Sequence, residues 1–262
     1  MLVTSSISAR GVATVTLNRP EKHNALDGAT LEQLHATLLE IAGSAQARVV
    51  VLSGAGASFC AGADIAHMRS MLGASEAANI ADARVLARCL RTLDELPLPV
   101  IARVNGNAFG GAIGLIACAD IAIAVASAKL ALTEVRLGIV PAAISPYVVA
   151  AIGPRQARRL FLTSAAFDGR EARSLGLVHF ACEADELDTL VEQQVELVLQ
   201  GGPAALRAAK QLIRDVASEQ DRDVLADRTA HLLASLRISD EGQEGLSAFL
   251  ERRKARWMKD ST

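Results

Sequence analysis

The chain has 262 residues, 51% of them hydrophobic and only 3% aromatic, with a formal net charge of -2. That length supports one large core, or a core with an appendage, and the near-neutral charge argues against nucleic-acid binding, which normally needs a basic face. The start Met1-Leu-Val-Thr-Ser-Ser-Ile7 has no basic opening and no long apolar run, so no signal peptide is expected and the chain reads as cytosolic.

In chain order, Val12, Thr14 and Thr16 alternate with Ala13, Val15 and Leu17, which predicts a one-sided strand over 11–17. A helix opens near Asp27 or Thr30, and an apolar strand over 48–52 closes at Ser53-Gly-Ala-Gly56. Helical spacing covers 76–96 until Pro97-Leu-Pro99 stops it. A strand over 99–104, a helix over 111–117, a strand over 121–126 and an extended piece over 129–133 follow. The apolar run 108–126 approaches membrane-spanning length, but it holds Gly110, Gly111, Gly114 and Asp120, so it reads as a buried helix followed by a buried strand. Helices dominate afterwards, over 155–163, 169–175, 185–199, 203–236 and 241–259. Gly201-Gly-Pro203 marks a boundary that divides the chain into 1–200 and a helical 201–262. Alanine, valine, leucine and isoleucine fill an interior of this kind where helices pack closely on parallel strands, the α/β class. Alanine-rich surfaces also favour an oligomer.

Cys60, Cys89, Cys118 and Cys182 lack CxxC spacing and read as free thiols filling the core. His23, His35, His67, His179 and His231 are scattered without the spacing of a zinc helix, so no metal is expected. Two stretches carry chemistry instead. Ser58-Phe-Cys-Ala-Gly-Ala-Asp-Ile65 and Asn105-Gly-Asn-Ala-Phe-Gly-Gly-Ala-Ile-Gly114 both place small residues where a strand turns into a helix. Helix starts leave backbone donors unpaired. If Ala63 and Gly111 each lend an N–H, a carbonyl oxygen can be gripped as negative charge develops on it. Each stretch alone is also compatible with an ordinary corner.

Together, in this order, they resemble the enoyl-CoA hydratase/isomerase, or crotonase, family. The resemblance also runs through Leu17-Asn-Arg-Pro-Glu-Lys-His-Asn-Ala-Leu26, Thr133-Glu-Val-Arg-Leu-Gly-Ile-Val-Pro141 and Glu244-Gly-Leu-Ser-Ala-Phe-Leu-Glu-Arg-Arg-Lys254. It implies a ClpP-like spiral of β-β-α units over 1–200, with 201–262 building a homotrimer or a dimer of trimers. It implies Glu134 as the group that moves a proton or holds water, with an acyl-CoA thioester as substrate. No separate cofactor is then needed, since coenzyme A enters with the substrate. Matching positions assign Lys22, Ala25 and Leu26 to the pantetheine and phosphates and Ala61, Asp64 and Ile65 to the adenine pocket. Phe249 and Arg252 match groups reaching the nucleotide from the tail.

Gly114 departs from the family pattern, where hydratases carry a second glutamate. Either Glu134 works alone, as in double-bond isomerases, or the vacated volume admits a bulkier, branched substrate. Phe109-Gly-Gly-Ala-Ile-Gly-Leu-Ile-Ala-Cys118 and Pro141-Ala-Ala-Ile-Ser-Pro146 look like the bacterial methylglutaconyl-CoA hydratase branch. That likeness calls for a cation against a distal carboxylate, with His67 and Arg69 as candidates. A non-catalytic acyl-CoA- or RNA-binding member is the third reading.

Overall fold

The computed structural model describes residues 1–258. Strands β1 (Val3–Ile7) and β2 (Val12–Leu17) pair antiparallel, and α1 (Gly28–Gly43) follows, capped by Asp27, whose carboxylate accepts from the Thr30 N–H. Three units then repeat one plan. The first is β3 (Val49–Gly54), β4 (Ser58–Cys60), α2 (Ile65–Ser70) and α3 (Glu76–Asp94). Next come β5 (Val100–Val104), β6 (Asn107–Phe109) and α4 (Gly111–Ala117). The third is β7 (Ile121–Val125), β8 (Lys129–Ala131), a 3-10 turn (Glu134–Leu137) and α5 (Ser145–Thr163).

The first strand of each unit joins a six-stranded sheet and the second a four-stranded one, so the chain climbs as a spiral of β-β-α turns. β9 (Phe167–Asp168), α6 (Gly169–Leu175), β10 (Phe180–Cys182) and α7 (Leu187–Leu199) complete it. The large sheet has the order β1-β2-β3-β5-β7-β10, parallel from β2 onward; the small one runs β4-β6-β8-β9. All six residues of β3 are buried, as a parallel strand covered on both faces requires. The tail consists of α8 (Pro203–Ser218), α9 (Arg222–Ile238) and α10 (Asp240–Leu250). Lys210 ties it to the core, its buried ammonium donating to Asp120 (2.7 Å) and the Leu98 carbonyl (3.2 Å). No helix among the described residues is long and apolar enough to cross a membrane.

The structure departs from the expected elements where local pattern is weak. β1 is mostly Thr and Ser, and only Val3 of it is buried. Helix α5 begins ten residues before the expected 155, because Gly153, at φ +72°, bends two helical segments into one element. The helix expected over 203–236 is two, with Asp221 capping the second. The last helix stops at Leu250, with Arg252 at φ +55°; the expected end at Lys259 lies outside the described residues. All four cysteines are free and buried.

Candidate active site

Strands β4, β6 and β8 lie side by side and parallel, with Cys60 opposite Ala108 and Phe109 opposite Ala131. Their carboxyl ends therefore reach the same edge of the small sheet. Two residues past Phe109 comes Gly111, and three past Ala131 comes Glu134. At the third strand end, Leu26 forms an isolated parallel bridge with Ala63. The Leu26 N–H donates to the Gly62 carbonyl (2.7 Å), and the Asp64 N–H donates to the Leu26 carbonyl (2.8 Å). The carbonyl and N–H of one trans peptide point opposite ways, so the Ala63 N–H is aimed away from Leu26. Gly111, first residue of α4, has no preceding turn to bond. Neither amide has a hydrogen-bond partner among the described residues.

Glu134 faces the second turn. A Cβ placed on Gly110 would lie 3.2 Å from Glu134 Oε1, while Oε2 is buried without a hydrogen-bond partner. Burial pushes this carboxyl up from its ordinary range, partly offset by its own backbone N–H. The neighbouring cation does not neutralise it, because the Arg136 guanidinium donates to the Ser164 carbonyl (3.0 Å). A half-buried carboxyl with a free, buried oxygen and raised proton affinity, at the turn that leads into the Gly111 amide, can exchange a proton with a molecule held there.

Under the first turn lies a network that sequence reading missed. Arg19, 6% exposed, donates to Asp64 (2.7 Å) and the Ala25 carbonyl (2.6 Å) and forms an ion pair with Asp27 (3.0 Å). The signal was an arginine directly before Pro20 and just past the end of β2, where a long cation has little open solvent to reach.

Gly114 does not vacate space, contrary to one of the readings above. A Cβ there would sit 2.4 Å from Ile144 Cγ2 and 3.2 Å from Leu90 Cδ2, so Ile144, at the N-terminal end of α5, fills the volume. Sequence alone could not pair residues thirty apart. Asp64 also differs from a free adenine contact. Its carboxylate, 3% exposed, is bound by Arg19 and Lys22 (3.1 Å) and caps α2 through Ala66 and His67. Desolvation raises its proton affinity, but these donors outweigh it and hold the group well below the usual carboxylate range.

Lys22 is half-exposed above Asp64; Ala25 and Leu26 are buried, Ala61 is half-buried, and Ile65 is exposed. His67 is taken up by Asp82 (2.8 Å), which joins α2 to α3, whereas Arg69 is exposed with no side-chain partner among the described residues. Phe249 and Arg252 are exposed on the tail, without a side-chain hydrogen bond or ion pair among the described residues. Cys60 is fully buried and its thiol pushed up to about 12 by burial, with a backbone hydrogen bond from Gly62 opposing; such a thiol is a poor nucleophile. Among the described residues no group of three or more His, Cys, Asp or Glu could hold a metal ion.

Comparison with known proteins finds relatives of the whole chain. A sequence model described as enoyl-CoA hydratase/isomerase matches residues 8–260. The short-chain-enoyl-CoA hydratase of Clostridium acetobutylicum is 31% identical over 255 residues, covering 95% of both chains. The crotonyl-CoA hydratase of Syntrophomonas wolfei is 32% identical over 250 residues, 94% of each. The crystal structure of an enoyl-CoA hydratase from Shewanella pealeana superposes with a TM-score of 0.94 at 38% identity, covering 98% of this chain and 96% of the other. With the matching family model spanning nearly the whole sequence and the spiral fold in common, the chain belongs to the enoyl-CoA hydratase/isomerase family.

Proposed function

We propose that this enzyme is a lyase that adds water across the double bond of an α,β-unsaturated acyl-CoA, using one carboxylate. The observation that carries the reading is Glu134, whose buried, unpartnered oxygen lies beside the Gly110 turn. Relatives of similar length named as hydratases support it. The Ala63 and Gly111 N–H groups hold the thioester oxygen, and Glu134 accepts a proton from water as the water oxygen bonds to C3. The electron pair of the double bond moves onto the thioester oxygen as an enolate. Glu134 then returns its proton to C2, which leaves the 3-hydroxyacyl-CoA and the original carboxylate. Loss of one such donor costs about 10²- to 10³-fold in rate. The test is hydration of crotonyl-CoA, followed by loss of the conjugated thioester absorbance. Glu134→Gln should retain acyl-CoA binding and lose turnover; full activity in that variant overturns the reading.

The finer assignment is a branched substrate such as 3-methylglutaconyl-CoA. Its support is the sequence around Gly114 and Ile144, and Arg69 as an uncommitted cation for a distal carboxylate. With the Gly114 side walled by Ile144 and Leu90, the branch must point elsewhere. A panel of 2-enoyl-CoA substrates tests it; a kcat/KM for methylglutaconyl-CoA below that for crotonyl-CoA rejects it. Isomerisation is the second reading, favoured by the absence of a carboxylate at Gly114: Glu134 would take a proton from C2 of a 3-enoyl-CoA and return one to C4. Side-by-side assays of 2-enoyl and 3-enoyl thioesters separate the two, and binding without turnover on either favours a non-catalytic role. We also infer a homotrimer or dimer of trimers built through 201–262, supported by the exposure of Ile213, Ile238, Phe249 and Leu250 on the tail. Light scattering after size exclusion would give the mass.

A further inference from the structure

We propose that Arg19 is a positioning residue for the Ala63 amide, holding it on the thioester oxygen without touching substrate. The inference rests on the oxyanion role proposed above for that amide.

The direction of the Ala63 N–H is set by the Gly62–Ala63 peptide plane, which the Leu26 N–H holds through the Gly62 carbonyl, while the next peptide is tied to the same residue by the Asp64 N–H donating to the Leu26 carbonyl. Backbone bonds on a loop hold an angle only if both sides are immobile. Arg19 grips both. On the Leu26 side, its Nη1 donates to the Ala25 carbonyl at 2.6 Å and meets Asp27 at 3.0 Å. On the Ala63 side, its Nη2 donates to Asp64 at 2.7 Å. The planar guanidinium keeps these donors at a fixed spacing, which a lysine ammonium does not. Arg19 is itself held: its N–H donates to the Asn24 side chain (2.9 Å), and its carbonyl accepts from the Asn24 N–H (2.9 Å).

The opposite side leaves no slack. Gly62 lies at φ +85°, and a Cβ on it would be 2.7 Å from the Phe109 carbonyl oxygen. Phe109 precedes the turn carrying the Gly111 amide, so a shift of the Gly62 peptide changes the separation of the two donors. Asp64 needs this cation. Buried, it has Arg19, half-exposed Lys22 and two backbone amides as its donors among the described residues, and losing the innermost leaves a buried carboxylate under-compensated.

Misplacing a catalytic group by about 1 Å can cost about 10²-fold. Arg19→Met should therefore lower kcat on crotonyl-CoA by about 10- to 100-fold with KM within about 2-fold, and Arg19→Lys and Asp64→Asn should lower it less. The discriminating readout is the infrared stretch of the thioester carbonyl of bound butyryl-CoA, an unreactive probe. Wild type should shift it to lower frequency than in free butyryl-CoA, and the variants should shrink that shift while still binding the probe. If Arg19→Met does not fold, the two milder variants decide. A full shift and full kcat in folded variants, even with lowered melting temperature, make Arg19 purely structural and overturn the proposal alone. A wild type with neither turnover nor a carbonyl shift overturns the oxyanion reading, and the proposal with it.

Discussion

Around Ala63, two cations, a buried carboxylate and the helix cap it provides hold the turn; around Gly111, no side chain among the described residues caps the helix, and the turn rests on shape. Gly110 takes φ +53° and ψ -119°, its N–H donates to the Ala131 carbonyl (3.0 Å), and Leu26 and Leu86 pack over Gly111. The difference follows from what sits beside each turn. Glu134 adjoins the second, and a cation like Arg19 there would favour its charged form and lower its proton affinity. Charge can brace the first turn because Asp64 already absorbs it. Only apolar packing can brace the second without lowering the proton affinity of Glu134.

The largest effect that tests this comparison is at Glu134 itself. Glu134→Gln should reduce hydration by about 10²- to 10⁴-fold without loss of stability. A carboxyl whose folded-state proton affinity is raised contributes stability below its unfolded pKa and loses it as pH rises. Replacing it by a neutral amide at pH 7.5 should therefore leave the melting temperature equal or higher. A lower melting temperature would mean that the carboxylate has stabilising partners and that the second turn is braced by charge after all.

Alanine at the two glycines sharpens the contrast. Gly62→Ala combines φ +85° with a backbone oxygen 2.7 Å from the new Cβ, and nothing there can swing aside. It should cost about 3 kcal/mol of stability. Gly110→Ala meets only the end of a flexible carboxyl at 3.2 Å, so strain near φ +53° should cost about 1–3 kcal/mol while displacing Glu134. Urea denaturation and kcat, measured on both, should show Gly62→Ala losing stability together with some kcat, through the shifted Ala63 amide, and Gly110→Ala folded with the larger loss of kcat, at least about 10-fold, expected from misplacing the carboxyl proposed to transfer the proton. Equal losses on both scales would erase the distinction.

Behind the second turn the shape argument extends to Gly114 and Ile144. Gly114→Ala gains helix propensity of about 1 kcal/mol but drives a methyl into Ile144, and overpacking of this kind costs about 1–3 kcal/mol. Ile144→Ala alone leaves a cavity worth about 2–5 kcal/mol. The double variant should lose less than the sum, by about 0.5–3 kcal/mol, in a four-member denaturation cycle. Strict additivity would mean that the two side chains do not share the space.

Much of this was legible in the chain. The apolar run over 49–52 in β3 and the glycine-rich stretches announce a parallel sheet with two helix-starting turns, and helix α4 over 111–117 and helix α6 over 169–175 follow from spacing alone. The small sheet was not legible as a sheet, because strands of three residues or fewer carry no periodicity. Site contacts divide the same way. Glu134 and the two amide-bearing turns come from ordered motifs, whereas Arg19 with Asp64 and Gly114 with Ile144 are long-range pairs. A buried ion pair reads in sequence as two ordinary surface charges. A filled glycine reads as an empty one, which is why a roomy site was a reasonable expectation and the structure corrects it.

The smallest effect separates the turns by pH. Burial raises the Glu134 proton affinity, so kcat/KM should fall on acidification with a midpoint above the ordinary glutamate value of about 4.3, since the proposed mechanism needs the ionised carboxylate to take the proton from water. Asp64 moves the other way. Its folded-state pKa is depressed, so its contribution to stability is present above the unfolded value of about 3.9 and is lost only as pH falls through the folded one. Across the range where activity disappears, the first turn should therefore stay ionised and the fold intact. Far-ultraviolet circular dichroism recorded alongside the kinetics checks this. If unfolding tracks the loss of activity, the acid limb belongs to the charged turn; if dichroism stays flat while rate falls, the limb belongs to the carboxyl held by shape, as the geometry around Gly110 requires.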